Sequence, residues 1–163
     1  MKEMSRIVRT VTSLIFGFIV IFGFYVIIYG HVTPGGGFQG GVIVASGFAL
    51  LLVTYGHKNS EKFLNKNVLS FYESTGLLAF IVLAFLGLGV SFFYNFLTNS
   101  GGLFGHVPVT GVNPGDVYTG GLIPLMEVAV GLEVFSAMGV ILIIISGGSA
   151  YIRHINNKEK ENS

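Results

Sequence analysis

Two patterns in this 163-residue chain have the residue types and spacing to do chemistry. The first is a pair of carboxylates in an otherwise uncharged run, "LIPLMEVAVGLEVFSAMGVILIIISGG" (122–148), which holds Glu127 and Glu133. The second is Gly35-x-Gly37-x-x-Gly40 in "HVTPGGGFQGGVIVASG" (31–47), which carries the lettering of a pyrophosphate cradle. A carboxylate in an apolar run can take up and release a proton or bind a cation. Placing it at the centre of a membrane helix costs about 2.5–3.5 kcal/mol on insertion scales, so each must have a reason to be there. On a helix, six residues put the two groups about 120° apart around the axis and about 9 Å apart along it. They face different neighbours, so a two-carboxylate site made by this pair alone is not expected. Each needs a partner: a lysine or histidine of another subunit, water, or a proton of its own. No Lys or Arg of this chain falls at that depth. The expectation is a partner on another chain, or a group that is neutral for part of its cycle, and both suit passage of a cation or proton.

Two further acids join the candidates for an ion path, giving Glu133, Glu127, Glu73 and Asp116. Glu73 falls near the start of the third apolar segment, where capping or stabilising a helix N-terminus competes with a role in ion entry. Asp116 follows Pro114-Gly115, where it reads as an ion-attracting or interface charge or as a plain turn residue. His31, His57, His106 and His154 lie at segment edges with no metal-ligand spacing, and there is no cysteine. No metal site, disulfide or iron–sulfur ligand is expected of this chain.

The glycine motif fails as a phosphate site on context. A dinucleotide fingerprint needs a strand before it, a helix after it and an acidic residue about 20 positions on. Here an apolar helix precedes the motif, and the nearest acid, Glu61, would sit at the far end of the next helix. A packing role fits better. Pro34 cannot continue a helix, and Gly35 to Gly37 permit a tight reversal. Gly40 and Gly41 then open the second helix, followed by Ala45, Ser46 and Gly47. Small residues at this spacing let helix backbones approach closely in lipid. The free N–H groups of the helix start would meet a carboxylate or carbonyl of a neighbouring chain.

The elements that must position these groups are membrane helices. The chain is 52% hydrophobic and only 10% charged, against roughly 25% charged residues in an average soluble domain. Val11 to Gly30, Phe38 to Gly56 and Ser74 to Thr98 carry no charge, and Leu122 to Tyr151 carries only the two glutamates. Each is about the roughly 20 residues that cross a bilayer. The fold class is an all-α integral membrane protein, one four-helix domain over 1–163. Its helices are expected at about 8–30, 38–56, 70–98 and 121–152, with a polar tail at 153–163. The first apolar run is longer than the 7–15 residues of a signal h-region, and no A-x-A-like site follows it, so it reads as a retained helix.

All nine Lys and Arg residues fall before helix 1, between helices 2 and 3, or after helix 4. The positive-inside rule then places both termini in the cytoplasm and both glycine-rich connections outside. The expected location is the cell membrane, multi-pass. "VTPGGGFQGGVI" (32–43) and "VNPGDVYTGGLI" (112–123) align without gaps, with six of twelve positions identical. That would make a parallel two-helix internal repeat, helices 1–2 answering helices 3–4.

At this stretch the chain resembles a known family. "HVTPGGGFQGGVI" is similar to the signature of the MnhB/MrpB-type small membrane subunits of Mrp multisubunit sodium/proton antiporters. The core of that signature is Pro34, Gly35, Gly36, Gly37, Phe38, Gly40 and Gly41. The same kind of subunit occurs in antiporter-linked hydrogenase and sulfur-reductase complexes. The resemblance implies a non-catalytic subunit that helps form a sodium/proton path and docks larger antiporter subunits. An acidic residue in helix 4 is expected from it, a place Glu127 or Glu133 could fill. Partners would be other membrane subunits, the lipid bilayer and, in a hydrogenase host, redox subunits, with no nucleic acid. Sodium ions and protons would be transported, and no cofactor is expected on this chain. The rival reading is a non-conducting linker that joins an antiporter module to a redox module. A membrane enzyme has little behind it, because no nucleophile–base pair or cofactor motif is visible.

Overall fold

The computed structural model describes residues 4–32, 34–56, 65–101, 104 and 120–161, the last stretch beyond 148 by its backbone alone. Its regular structure, among the described residues, is four helices: α1 Arg6–Ile28, α2 Gly36–Tyr55, α3 Lys66–Leu86 and α4 Ile123–Glu161. All four are long and apolar enough to cross a membrane, α4 through its part Ile123–Gly148. Helices satisfy their own backbone groups, which a chain in hydrocarbon must do because no water is there to replace a missing partner. The outward side chains agree: Phe18, Ile21, Leu78 and Ile145 are 62–69% exposed. In water such a surface would be untenable, whereas lipid is its natural solvent. The chain is a multi-pass membrane protein.

The helices pack in the order α1–α2–α4–α3, with α1 touching α4 more lightly. α2 and α4 both begin at the glycine-rich end, and they run side by side in parallel. Bare backbone makes each crossing possible. A methyl group on Gly40 would stand 2.7 Å from the Gly23 carbonyl and 2.9 Å from the Ile27 nitrogen of α1. One on Gly41 would stand 2.9 Å from the Gly131 carbonyl of α4. On the other side of α4, one on Gly76 would stand 2.8 Å from both the Ala129 carbonyl and the Glu133 nitrogen. These separations leave room for hydrogen only, so α2 and α3 lie directly on their neighbours' backbones. At the basic end, Leu52 of α2 and Leu69 of α3 close the bundle with Phe48, Phe135 and Val140. Buried hydroxyls of Thr12 and Thr54, 3.0 Å apart, tie α1 to α2 there.

Helix ends follow local chemistry. The Ser5 hydroxyl accepts from the Val8 N–H to start α1, and the Asn65 side chain accepts from the Asn67 N–H to start α3. Glu73 is therefore not the cap of its helix; it sits two turns in. Gly35 and Gly36 turn the α1–α2 hairpin with φ of 105° and 42°, angles that suit glycine. α2 consequently begins at Gly36 rather than 38. The larger departure is α3, which stops at Leu86 although the apolar run continues to 98. The chain after Gly87 turns back, bringing Tyr94 so close that a methyl on Gly87 would stand 2.7 Å from its backbone. Phe93 adopts a φ of 62°, and its N–H donates to the Ala84 carbonyl. Apolar composition suited either structure, and glycines 87 and 89 with the Phe80–Phe93 and Phe85–Phe92 ring contacts favour the folded-back one.

The helix order is one that two related hairpins would produce. In the aligned stretches, however, α2 begins at the fifth residue of the first and α4 at the last residue of the second. Residues 112–119 of the second lie outside the described residues, and the stretch expected as a polar tail, 153–163, is helical as far as Glu161, the end of α4.

Gly40→Ala is expected to destabilise the α1–α2 contact by about 1–3 kcal/mol, the usual cost of overpacking, read as a lower thermal midpoint of the solubilised complex. Gly17→Ala, with nothing within 4 Å of the added carbon, should leave it unchanged.

Candidate functional site

The Glu127 carboxylate lies against the start of α2. Its Oε2 accepts a hydrogen bond from the Gly37 N–H, and both carboxylate oxygens are packed on Gly36. Gly30, at the end of the α1–α2 hairpin, closes the third side: a methyl there would stand 3.0 Å from the Glu127 Cδ. One half-buried carboxylate is thus held by the hairpin whose sequence is P-G-G-G. The geometry follows from three features. α2 offers unpaired N–H groups and a positive partial charge at its first turn. Residues 36 and 37 have no side chains to keep an acid away. The parallel crossing at Gly41 and Gly131 then brings residue 127 level with residue 37. The expectation was a partner on another chain, or a proton; within this chain Glu127 already has one partner, the Gly37 backbone N–H.

The start of α4 is fastened from the opposite direction. The Asn95 side chain accepts from the Leu122 N–H at 2.8 Å and donates to the Gly120 carbonyl at 2.9 Å. Asn95 comes from the folded-back segment after α3, so that segment ties α3 to the beginning of α4. His31 packs on the same end, 2.9 Å from where a Gly120 methyl would be. Gln39 folds over Gly35, and Phe38 stands 57% exposed on the outer surface of α2.

Glu133 has a different setting. Its backbone meets α3 at Gly76, a third of a turn away from the α2 side of α4, as the six-residue spacing requires. The side chain is half-buried, and among the described residues it has no hydrogen-bond or ion-pair partner. One turn further along α4, Ser136 is completely buried, and among the described residues its hydroxyl has no hydrogen-bond partner. On α3, Glu73 is half-buried and lies between Leu69 and Gly76, both of which touch α4. The structure therefore separates the candidates. Glu127 belongs to the α2 hairpin, Glu133 and Glu73 belong to the α3–α4 seam, and Asp116 lies outside the described residues. No group of three His, Asp or Glu suited to a metal ion occurs among the described residues.

Sequence reasoning missed Asn95 and Ser136. The signal for Ser136 was present in its spacing, three residues from Glu133 on a helix, where i and i+3 share a face. For Asn95 the signal was a lone amide within the aromatic run "SFFYNF".

Residues 7–142 match the family described as a domain related to the MnhB subunit of Na+/H+ antiporter. Among similar proteins, an uncharacterized protein of Methanocaldococcus jannaschii is 30% identical over 146 residues, 87% of this chain and 52% of that protein. The chain thus spans about half the length of that relative. A Na(+)/H(+) antiporter subunit of Bacillus subtilis is 37% identical over 112 residues, 68% of this chain and 74% of that protein. A putative antiporter subunit, mnhB2, of Staphylococcus aureus is 47% identical over 55 residues, 34% of this chain and 39% of that protein.

Glu127→Ala leaves the α2 start without its acceptor and should cost about 1–3 kcal/mol, the penalty of an unsatisfied buried donor. Glu127→Gln retains an oxygen acceptor and should lose less. Hydrogen–deuterium exchange over residues 34–40 in the purified complex reads both, with faster exchange in the alanine variant.

Proposed function

Since the chain belongs to the MnhB family of Na+/H+ antiporter subunits, we propose that it works as a membrane subunit of a multisubunit cation/proton antiporter. Its part is to wall one stretch of the sodium/proton path and to dock larger subunits. The observation that carries this reading is Glu133, a half-buried carboxylate within the apolar span of α4 with no partner among the described residues. Such a group is retained at a cost of a few kcal/mol and marks a place where charge moves or where another chain supplies the counter-charge. Glu127 has the other role. Bound by the hairpin, it serves as an intramembrane fastener that fixes α4 against α2.

Docking is supported by the shape of the bundle. Four helices packed mainly in series, with large apolar side chains exposed along α1 and α3, present broad faces to lipid or to neighbouring membrane helices. A path walled by such a panel has to be completed by partner subunits. The basic residues gather at the end holding the α1 start and the α2–α3 connection. That end is assigned to the cytoplasm and the glycine end to the outside.

Glu133→Gln in the assembled complex should lower Na+-dependent proton exchange in membrane vesicles at least about tenfold, with the subunit still retained on purification. Unchanged exchange would leave the chain as a non-conducting linker.

A further inference from the structure

The seam between α3 and α4 contains more polar chemistry than Glu133 alone. Its register is fixed at two points. A methyl on Gly76 would meet the Ala129 carbonyl and the Glu133 nitrogen, and one on Gly139 would stand 3.1 Å from the Leu69 Cδ1. The two helices run antiparallel, so each step toward higher numbers on α4 is a step toward lower numbers on α3. Glu73, between Leu69 and Gly76, therefore falls at about the level of residues 134–135, between Glu133 and Ser136. Ser136 shares that face of α4: it is seven residues from Ala129 and three from Glu133, which a helix places in one stripe. Its complete burial, with contacts to α3 on either side of it, aims the hydroxyl into the seam.

That hydroxyl has no hydrogen-bond partner among the described residues. A serine within a helix ordinarily bonds to a carbonyl one turn back, as Ser74 and Thr75 do to Ser70 and Phe71. Leaving a buried hydroxyl unmatched is unfavourable by about 1–3 kcal/mol, so the position calls for a partner that comes and goes. The carboxylates nearest it in register, among the described residues, are those of Glu73 and Glu133. Glu73 lies nearer the basic end than Glu133, which is toward the membrane interior.

We propose that Glu73, Ser136 and Glu133 form a proton relay along the α3–α4 seam, entered from the basic end at Glu73. This rests on the reading of Glu133 as an ion-path group and adds the ion it handles and the route. A protonated Glu73 gives its proton to the Ser136 oxygen while the Ser136 O–H proton passes to the Glu133 carboxylate. One proton moves, one carboxylate is neutralised as the other is freed, and no bond between heavy atoms changes. Gly76 holds α3 close enough for side chains on adjacent turns to meet. The other titratable groups around the seam are few among the described residues. Tyr72 lies beside Glu73 on α3, and Lys66 at the mouth. α2 contributes Tyr55 at the basic end. α1 contributes Arg6 and Arg9 there, with Tyr25 and Tyr29 at the opposite end.

The test uses the assembled complex in inverted membrane vesicles, reading Na+-driven proton movement with a pH-sensitive dye across a range of Na+ concentrations. Ser136→Ala and Glu73→Gln should each slow the maximal rate substantially, up to roughly a hundredfold if positioned proton transfer limits exchange. The half-saturating Na+ concentration and subunit retention should stay as in the wild type. Ser136→Thr keeps a hydroxyl and should retain most of the rate. Equal losses in the alanine and threonine variants would assign Ser136 to packing and overturn the relay. Wild-type rates in Ser136→Ala and Glu73→Gln, with exchange lost in Glu133→Gln, would overturn the relay and leave the Glu133 reading standing. Wild-type rates in all of them would remove both.

Discussion

Hydrocarbon offers no water to an unpaired backbone group, and that constraint decides what happens at the start of α2. A helix that begins at the membrane boundary exposes N–H groups that must find an acceptor. Here the acceptor is the Glu127 carboxylate, delivered from α4 ninety positions later in the chain. One contact thus satisfies two groups that would each be costly alone: a buried donor and a half-buried acid. The absence of side chains at Gly36 and Gly37 and the glycine-lined crossings toward α1 and α4 are the conditions under which that contact can form.

α4 is accordingly the common element of the bundle. It supplies an acid to α2, takes its own starting support from Asn95, and packs against α3 along a stripe that includes Glu133 and Ser136. The two glutamates resemble each other in composition terms but differ in surroundings. Glu127 has a backbone donor and a tight glycine enclosure. Glu133 has a helix–helix contact and no partner among the described residues. The distinction is one of fit, since the first has a backbone donor within this chain and the second has no partner among the described residues.

Much of this was legible before any coordinates. The four apolar runs, the close-packing use of the glycines and the divergent directions of Glu127 and Glu133 follow from composition and helix geometry. The acid at the α2 start belongs to this chain, whereas the sequence pointed to a carboxylate or carbonyl of a neighbouring chain. It could not show which one, because pairing residue 37 with residue 127 depends on how far α4 slides along α2. That sliding is set by Gly41 against Gly131 rather than by any local pattern. The early end of α3 was hidden for a related reason. "GLGVSFFYNF" is apolar enough to be helix, and only its ring contacts and the Asn95 bonds, made with distant residues, favour folding back. Ser136 gives no signal of its own type, because a serine in a membrane helix ordinarily bonds to a carbonyl one turn back.

The six-residue spacing between the two glutamates also limits how a chain like this can change by insertion and deletion. Adding or removing one residue between them would turn everything beyond by about 100°. Glu133 and Ser136 would leave the α3 seam while Glu127 stayed in its cradle. The start of α4 is held separately, since Asn95 and Leu122 are tied to each other directly. The stretch from 127 to 136 is a fixed gauge that substitution can edit and insertion cannot.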